Sequence, residues 1–388
     1  MKGDDRFYKH LTNFSCCVTR NSLTKNYEVL IFALMNAHQR LLTKQEEDYY
    51  LQRMDEVSRS FAIVVPQMEK PLDDYTGISY LLCRVADNIE DVEAPESFKL
   101  ERFEEMIRML DGRADSTEVL SEWEAHAWPG LTEDEQNLMT IRQGLMLWQI
   151  FNKFPARIKR HIGYWVSEMI SGMAANLDPE RSILKEASGI STLESVEAYN
   201  RYCYVVAGNV GHLLTRLTAD FYGFSQHTVH QLLAYTEHFA RTLQKTNILK
   251  DFGKDLSRGI CYIPRQWMKS AGKLIEGVTM ETRKLVLHDI FTELKGAVQY
   301  VGHIPLFARG YRMGALLCLL PAFETARLAL ENVEDTLTGD ASLKISRDVM
   351  ERCFYLAMQI AGDNEVLHRY YQEQVAMLKD TFQEEYSL

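Results

Sequence analysis

Apolar residues recur at three- and four-residue intervals through most of the chain, while strict alternation and tight-hairpin dipeptides are rare. An interval near 3.6 keeps one face of a helix apolar, so the pattern predicts an all-α protein. Helices are expected over residues 23–40, 45–65, 72–92, 97–111, 133–153, 156–177, 193–221, 226–254, 273–300, 306–332, 343–361 and 363–383. Pro66, Pro71, Pro95, Pro129, Pro155, Pro179 and Pro264 punctuate the boundaries. Ser191-Thr192-Leu193-Glu194 reads as a capping box opening the helix that carries Tyr202. Pro321 falls inside an apolar helix, where its missing N–H predicts a kink. Gly112 to Pro129 and Glu334 to Ser342 read as exposed connections, too short and too mixed for an interdomain linker. No tandem period is present, so residues 1–388 are expected to form a single domain: a large helical bundle with its polar site inside.

Composition narrows the class without naming it. The chain is 46% hydrophobic and 25% charged, which suits a globular core, and its net charge of −11 argues against nonspecific nucleic-acid binding. Any polyanion must be met by local cations. Seven cysteines (Cys16, Cys17, Cys83, Cys203, Cys261, Cys318 and Cys353) show no CxxC spacing and mostly lie in apolar stretches, as expected of thiols in a reducing compartment. The first residues are polar and acidic, unlike an export signal. The longest apolar runs, Val29 to Met35 and Met313 to Phe323, fall short of a bilayer span, so no transmembrane segment is expected. A cytoplasmic location follows, with peripheral membrane contact still open.

Two segments about 160 residues apart repeat one design: Arg84-Val85-Ala86-Asp87-Asn88-Ile89-Glu90-Asp91 and Asn247-Ile248-Leu249-Lys250-Asp251-Phe252-Gly253-Lys254-Asp255. Each sets two aspartates four residues apart, on one helix face roughly 6 Å from each other. Chance alone gives roughly seven acid–acid pairs at this spacing in a chain with 54 acidic residues among 388, most of them solvated. Here both pairs emerge from apolar helices, Ile78 to Cys83 and Leu243 to Leu249, which predicts buried carboxylates in need of a cation. Mg²⁺ bridging to a diphosphate is such a partner, because it takes hard oxygen ligands from protein, substrate and water together.

Ser58-Arg59-Ser60-Phe61, Tyr80 to Asp91, Tyr202-Cys203-Tyr204-Val205-Val206-Ala207-Gly208 and Leu243 to Asp251 together resemble the squalene and phytoene synthase family, in family order and from about residue 20 to 370. The resemblance implies an isoprenoid-synthase helical fold with a central cavity. It places Asp87, Glu90 and Asp91 opposite Asn247, Asp251 and Asp255, with three Mg²⁺ ions between them. Arg59, Arg84, Lys250 and Arg258 become the expected diphosphate contacts, Tyr202 the residue tied to proton removal, and Phe61 and Tyr80 aromatic faces toward carbocations. Ordinary ion pairing and core packing are the competing explanations for these side chains.

The implied reaction is the head-to-head joining of two farnesyl diphosphates through presqualene diphosphate. Reduction by NADPH then gives squalene; without it, proton loss gives dehydrosqualene or, from longer precursors, phytoene. Gln244-Lys245-Thr246-Asn247 resembles the reducing branch, and Gln244, Lys344 and Arg347 are the expected NADPH contacts. In the other direction, Met313-Gly314-Ala315-Leu316-Leu317-Cys318 lacks the phenylalanines of the eukaryotic squalene-forming enzymes, and Arg258-Gly259-Ile260-Cys261-Tyr262-Ile263-Pro264 is nearer the non-reducing branch. A non-catalytic helical assembly protein of the same fold is the alternative from another class, and a terpene cyclase with a similar metal site is a third.

Overall fold

The structure is a computed structural model that describes residues 41–58, 60–177, 182–187, 189–269, 274–338 and 343–381. The helix expected over 23–40, Cys16, Cys17, Arg59 and Pro179 lie outside the described residues. The rest is built of helices, in the order α1 Lys44–Val57, α2 Phe61–Val64, α3 Leu72–Asp91, α4 Glu96–Leu110, α5 Ser116–Glu124, α6 Glu133–Asn137, α7 Ile141–Lys153, α8 Ala156–Leu177, α9 Val196–Cys203, α10 Asn209–Tyr222, α11 Gln226–Ser257, α12 Met280–His303, α13 Arg309–Glu331, α14 Arg347–Ile360 and α15 Asn364–Thr381. The all-α expectation holds. The long helices wrap one core: α11 lies along α12, α10 packs on α8 and α11, α8 covers α3 and α4, and α13 closes on α11 and α12. Among its buried side chains are Ile78, Leu82, Ile89, Met169, Leu249, Phe252, Leu294 and Leu316.

Four expectations need correction. Ser191 to Leu193 do not cap a helix; they form strand β2 (Ile190–Leu193), between an antiparallel β1 (Leu184–Ala187) and a parallel β3 (Ile260–Cys261). The cap is Ser195, whose hydroxyl accepts from the Ala198 N–H at 3.2 Å. The segment expected to be a loop between Gly112 and Pro129 contains α5, started by Asp115 accepting from the Thr117 and Glu118 amides and held by buried Val119, Leu120 and Trp123. The helix expected over 133–153 breaks after Asn137, and Thr140 restarts it by accepting from the Gln143 amide. The helix expected over 193–221 is interrupted by a π-helical turn at Tyr204–Gly208, immediately after Tyr202. Such turns insert one residue and re-aim side chains, and they concentrate at functional sites.

The small sheet has a positional role. Ser191 donates to the Gly259 carbonyl at 2.9 Å, and β2 pairs in register with β3, which ties the entry to α9 to the exit from α11. Gly259 has φ +76, a left-handed conformation that a side chain would strain, and it allows the turn from α11 into β3. Helix α13 is long and apolar enough to cross a membrane by length and composition, with mean hydropathy 1.5 over its most apolar window, yet 72% of that window is buried inside the fold. Its Arg312, fully buried, donates to the Val301 and Ile304 carbonyls and to Asn364.

The α11–α12 contact depends on a missing side chain. A Cβ at Gly296 would stand 2.4 Å from His238 Cγ and 2.5 Å from its Cβ, atoms too near the backbone to swing away. Gly296→Ala is expected to destabilise the fold by about 1–3 kcal/mol through overpacking. Urea unfolding of parent and variant measures this; an unchanged midpoint would mean that the two helices have slack.

Candidate active site

Helices α3 and α11 end near one another without extensive packing between them, and an ion pair joins the two ends: Arg258 Nη2 lies 2.9 Å from Asp91 Oδ1. Residues 87 and 91 share a face of α3, while 244, 247, 251 and 255 share a face of α11 at spacings of three and four. The opposite face of α11, with Lys245, Ile248, Leu249 and Phe252, is buried. Apolar periodicity thus drives one side of each helix into the core and leaves the acidic sides partly exposed, with the ends of the two helices joined by Arg258 and Asp91.

The carboxylates are not buried as expected. The side chains of Asp87, Asp91 and Asp251 keep 30%, 42% and 45% of their surface exposed, so the helices bury their apolar faces and leave their acidic faces partly open to solvent. Asp87 and Glu90 are half-buried. Burial, with Asp91 and Glu135 nearby, raises the Asp87 carboxyl to about 6 against the opposing pull of Arg84. Burial and the charges of Asp87 and Asp91 raise Glu90 to about 8. On α11, burial and Asp251 raise Asp255 to about 6, with Asp91 contributing from α3. Burial and mutual repulsion therefore outweigh the pull of nearby cations on these three carboxyls.

Those cations lie beside the aspartates. Arg84 Nη1 stands 3.5 Å from Asp87 Oδ2 and its Nη2 reaches the Tyr80 hydroxyl at 3.5 Å. Lys250 donates to Asn247 Oδ1 at 3.2 Å and lies 3.5 Å from Asp251. Phe61 and Tyr80 are in ring contact at 4.9 Å. Tyr202 is buried and stacks on Tyr262 at 4.3 Å, with Glu90 near enough to influence both phenols. Burial first, then Tyr262 and Glu90, push the Tyr202 phenol well above its ordinary range.

Gln244 is half-buried, Asn247 is exposed on the wall beside Asp251, and Lys344 and Arg347 are exposed at the start of α14, which packs chiefly on α13 and α15. Two participants were missed in the sequence. Tyr262 forms the floor under Tyr202, although its only sequence signal was the Arg258-to-Pro264 string. Lys99, on α4, donates to the Glu90 carbonyl at 2.6 Å. Among the described residues no group of three His, Cys, Asp or Glu side chains could enclose a metal ion unaided. The walls offer hard oxygen donors only, so they fit a divalent cation such as Mg²⁺ that takes its remaining ligands from a bound oxyanion and water.

The profile of the squalene/phytoene synthase family matches residues 54–300. The squalene synthase of Saccharomyces cerevisiae is 27% identical over 296 residues, covering 74% of this chain and 62% of the yeast protein. That of Candida albicans is 29% identical over 215 residues, covering 55% of this chain and 44% of its own. This chain thus spans less than two thirds of the length of these relatives. A solved ligand complex of TcSQS superposes with a TM-score of 0.71 at 21% identity, over 87% of this chain and 92% of that one. A dehydrosqualene synthase bound to a ligand superposes with a TM-score of 0.53 at 16% identity, over 87% and 98% of the two chains. Identities this low establish a shared fold.

Proposed function

Because the chain belongs to the squalene/phytoene synthase family, we propose that it is a single-domain transferase joining two farnesyl diphosphates head to head through presqualene diphosphate, with NADPH reduction to squalene. The observation that supports this most is the Arg258–Asp91 pair, which joins the ends of two acidic segments about 160 residues apart in sequence. Asp87, Glu90 and Asp91 on one wall and Asn247, Asp251 and Asp255 on the other would hold Mg²⁺. When bound, that cation supplies Lewis-acid neutralisation of charge growing on a departing diphosphate.

The remaining work falls to the chain itself. Arg84 and Arg258 carry N–H groups that can leave their aspartates for diphosphate oxygens, and Lys250 and Arg59 are the further candidates. Phe61 and Tyr80 offer π faces, which stabilise a cation without capturing it as a nucleophile would. The Tyr202 hydroxyl stays protonated in its setting, so it can accept a proton only while passing its own to a neighbouring oxygen, and a released diphosphate is suited to receive it. The described cysteines are free thiols, four of them buried, which suits a reducing, cytoplasmic compartment.

Gln244 beside Asn247 supports the reducing branch, with Lys344 and Arg347 as further NADPH candidates. The segment Met313 to Cys318 on α13, which has no aromatic ring, favours the second reading: dehydrosqualene or phytoene formation without NADPH. Incubation with farnesyl diphosphate and Mg²⁺, followed by mass spectrometry of the products, separates them. Presqualene diphosphate without NADPH and squalene with it are expected. A product unchanged by NADPH would move the protein to the non-reducing branch, and no coupled product at all would remove the proposal.

A further inference from the structure

The end of the molecule remote from the acidic cleft has the opposite character. Helix α11 begins at Gln226 and reaches Asp251 roughly 37 Å later at 1.5 Å per residue, so its first turn lies at the other pole. There a pocket is lined by Arg157, His161, Arg216, Gly223, Phe224 and Gln226. Asp220 is satisfied by Arg157 and by His161 Nε2 at 2.9 Å, whereas Arg216 has no hydrogen bond or ion pair among the described residues. Three chain segments meet at this pole: 152–165, 213–236 and 299–312. Asp220 is their one acid, against Lys153, Arg157, Lys159, Arg160, Arg216, Arg309 and the buried Arg312, in a protein of net charge −11; Lys153 is paired with Glu46 from α1, which leaves Lys159, Arg160, Arg216 and Arg309 as the surplus. Glu69 also reaches this pole, but it is used internally, accepting from the Tyr222 hydroxyl and from the Gly310 amide at 3.0 Å.

An apolar tip adjoins the cations. Phe224, part of the pocket wall, lies 5.9 Å from the Phe307 ring and 5.5 Å from that of Tyr222. Phe307 is 49% and Leu306 46% exposed, in the short connection between α12 and α13. Tyr164, 57% exposed, follows Arg157, Arg160 and His161 on the same face of α8 by helical spacing. Solvated loops rarely carry adjacent exposed leucine and phenylalanine without a use. A soluble phosphate would need the arginines but not the apolar tip, and a purely apolar partner would need the tip but not the arginines. A bilayer with anionic headgroups needs both: apolar side chains entering the headgroup–acyl boundary, and cations meeting its surface charge.

We propose that the pole carrying Arg157, Arg160, Arg216, Phe224, Leu306 and Phe307 is a docking surface for an anionic lipid bilayer. Docked there, the molecule holds its acidic cleft away from the membrane, as the repulsion between two negative surfaces requires. The inference does not depend on the reaction proposed above, because its readout is binding alone.

Vesicle flotation of the full chain tests it, with phosphatidylcholine vesicles alone or containing phosphatidylserine. Wild-type protein is expected to float with the anionic vesicles at least about tenfold better than with neutral ones, and to be released by high salt. The variants L306S/F307S and R160Q/R216Q are each expected to lower that binding about tenfold, while R160K/R216K retains it. Far-UV circular dichroism and turnover of soluble substrate should match the parent in all three, since none of these residues reaches the cleft. Three outcomes would overturn the proposal: no flotation of the wild type, equal flotation with neutral vesicles, or variants that float like the parent. Light scattering that shows the tip holding two copies of the chain together, with no vesicle binding, would overturn it as well.

Discussion

Asp87→Asn is expected to lower the rate of the proposed farnesyl diphosphate coupling about 10³-fold while leaving the far-UV spectrum unchanged, which is the scale of loss when one electrostatic contact to a developing charge is removed. Asparagine keeps the shape and the hydrogen-bonding capacity of the side chain but loses the charge that a divalent cation needs. Full activity in this variant would mean that Asp87 takes no part in holding the cation. The same wall predicts a pH-dependent response to metal. Asp87 is raised to about 6 and Glu90 to about 8, so both bind protons more tightly folded than unfolded. The cation-free fold therefore loses stability as pH rises from about 4, the ordinary carboxylate range, towards 8. Bound Mg²⁺ relieves that repulsion, and the melting temperature should gain more from Mg²⁺ at pH 8 than at pH 6. Thermal melts at the two pH values measure the difference; an equal gain at both would mean that these carboxyls do not take part in holding the cation.

Much of this site could be read in advance because it is written in helical spacing. The pairs 87 and 91, and 251 and 255, repeat a local rule, and local rules survive folding. Their setting did not follow from the same rule. An apolar helix can bury one face and open the other, so the neighbours of Asp87 in sequence indicated burial whereas α3 leaves its acidic face partly open to solvent. The pairing of Asp91 with Arg258, 167 residues away, is purely tertiary and has no sequence signature. The interruption at Tyr204–Gly208 is hidden for a related reason: Val205, Val206 and Ala207 suit an α-helix as well as a π turn, and only packing around Tyr202 selects between them. Strands β2 and β3 share just two paired positions, too few for alternation to appear. Helix α5 was masked by the polar, glycine-containing approach Asp111-Gly112-Arg113, although its Asp115 cap was present in the sequence.

Behind the acidic wall of α11 lies a second charged cluster, where the largest stability effect is expected. Lys245 is fully buried and bonds Asp289 at 2.7 Å and Glu293 at 2.8 Å, and its ammonium stands 5.1 Å over the Tyr199 ring. Glu293 also accepts from Arg241 Nε at 2.9 Å and pairs with His238 Nδ1 at 2.6 Å. Burial pulls the Glu293 carboxyl upward, but His238, Lys245 and Arg241 together hold it down at about 2. Asp289, reached by fewer cations, is left raised by burial. Lys245→Met takes from Asp289 the ammonium it is paired with and leaves Glu293 to Arg241 and His238, and it is expected to cost about 3–5 kcal/mol in urea unfolding at pH 7. Because Glu293 is depressed when folded, its contribution is present above its unfolded value of about 4.3 and is lost as pH falls through about 2. Glu293→Gln should therefore lie well below the parent in stability at pH 7, and the gap should close as the pH is lowered from 4.5 towards 2. A gap independent of pH would show that the loss comes from packing and not from charge. Lys245 also lies on the reverse side of the helix that carries Asn247 and Asp251, above a tyrosine one turn before Tyr202. Its removal is thus expected to disturb both walls of the cleft together, lowering kcat and raising KM in the folded fraction, whereas Lys245→Arg, which keeps the charge, should restore the pH dependence before it restores the rate.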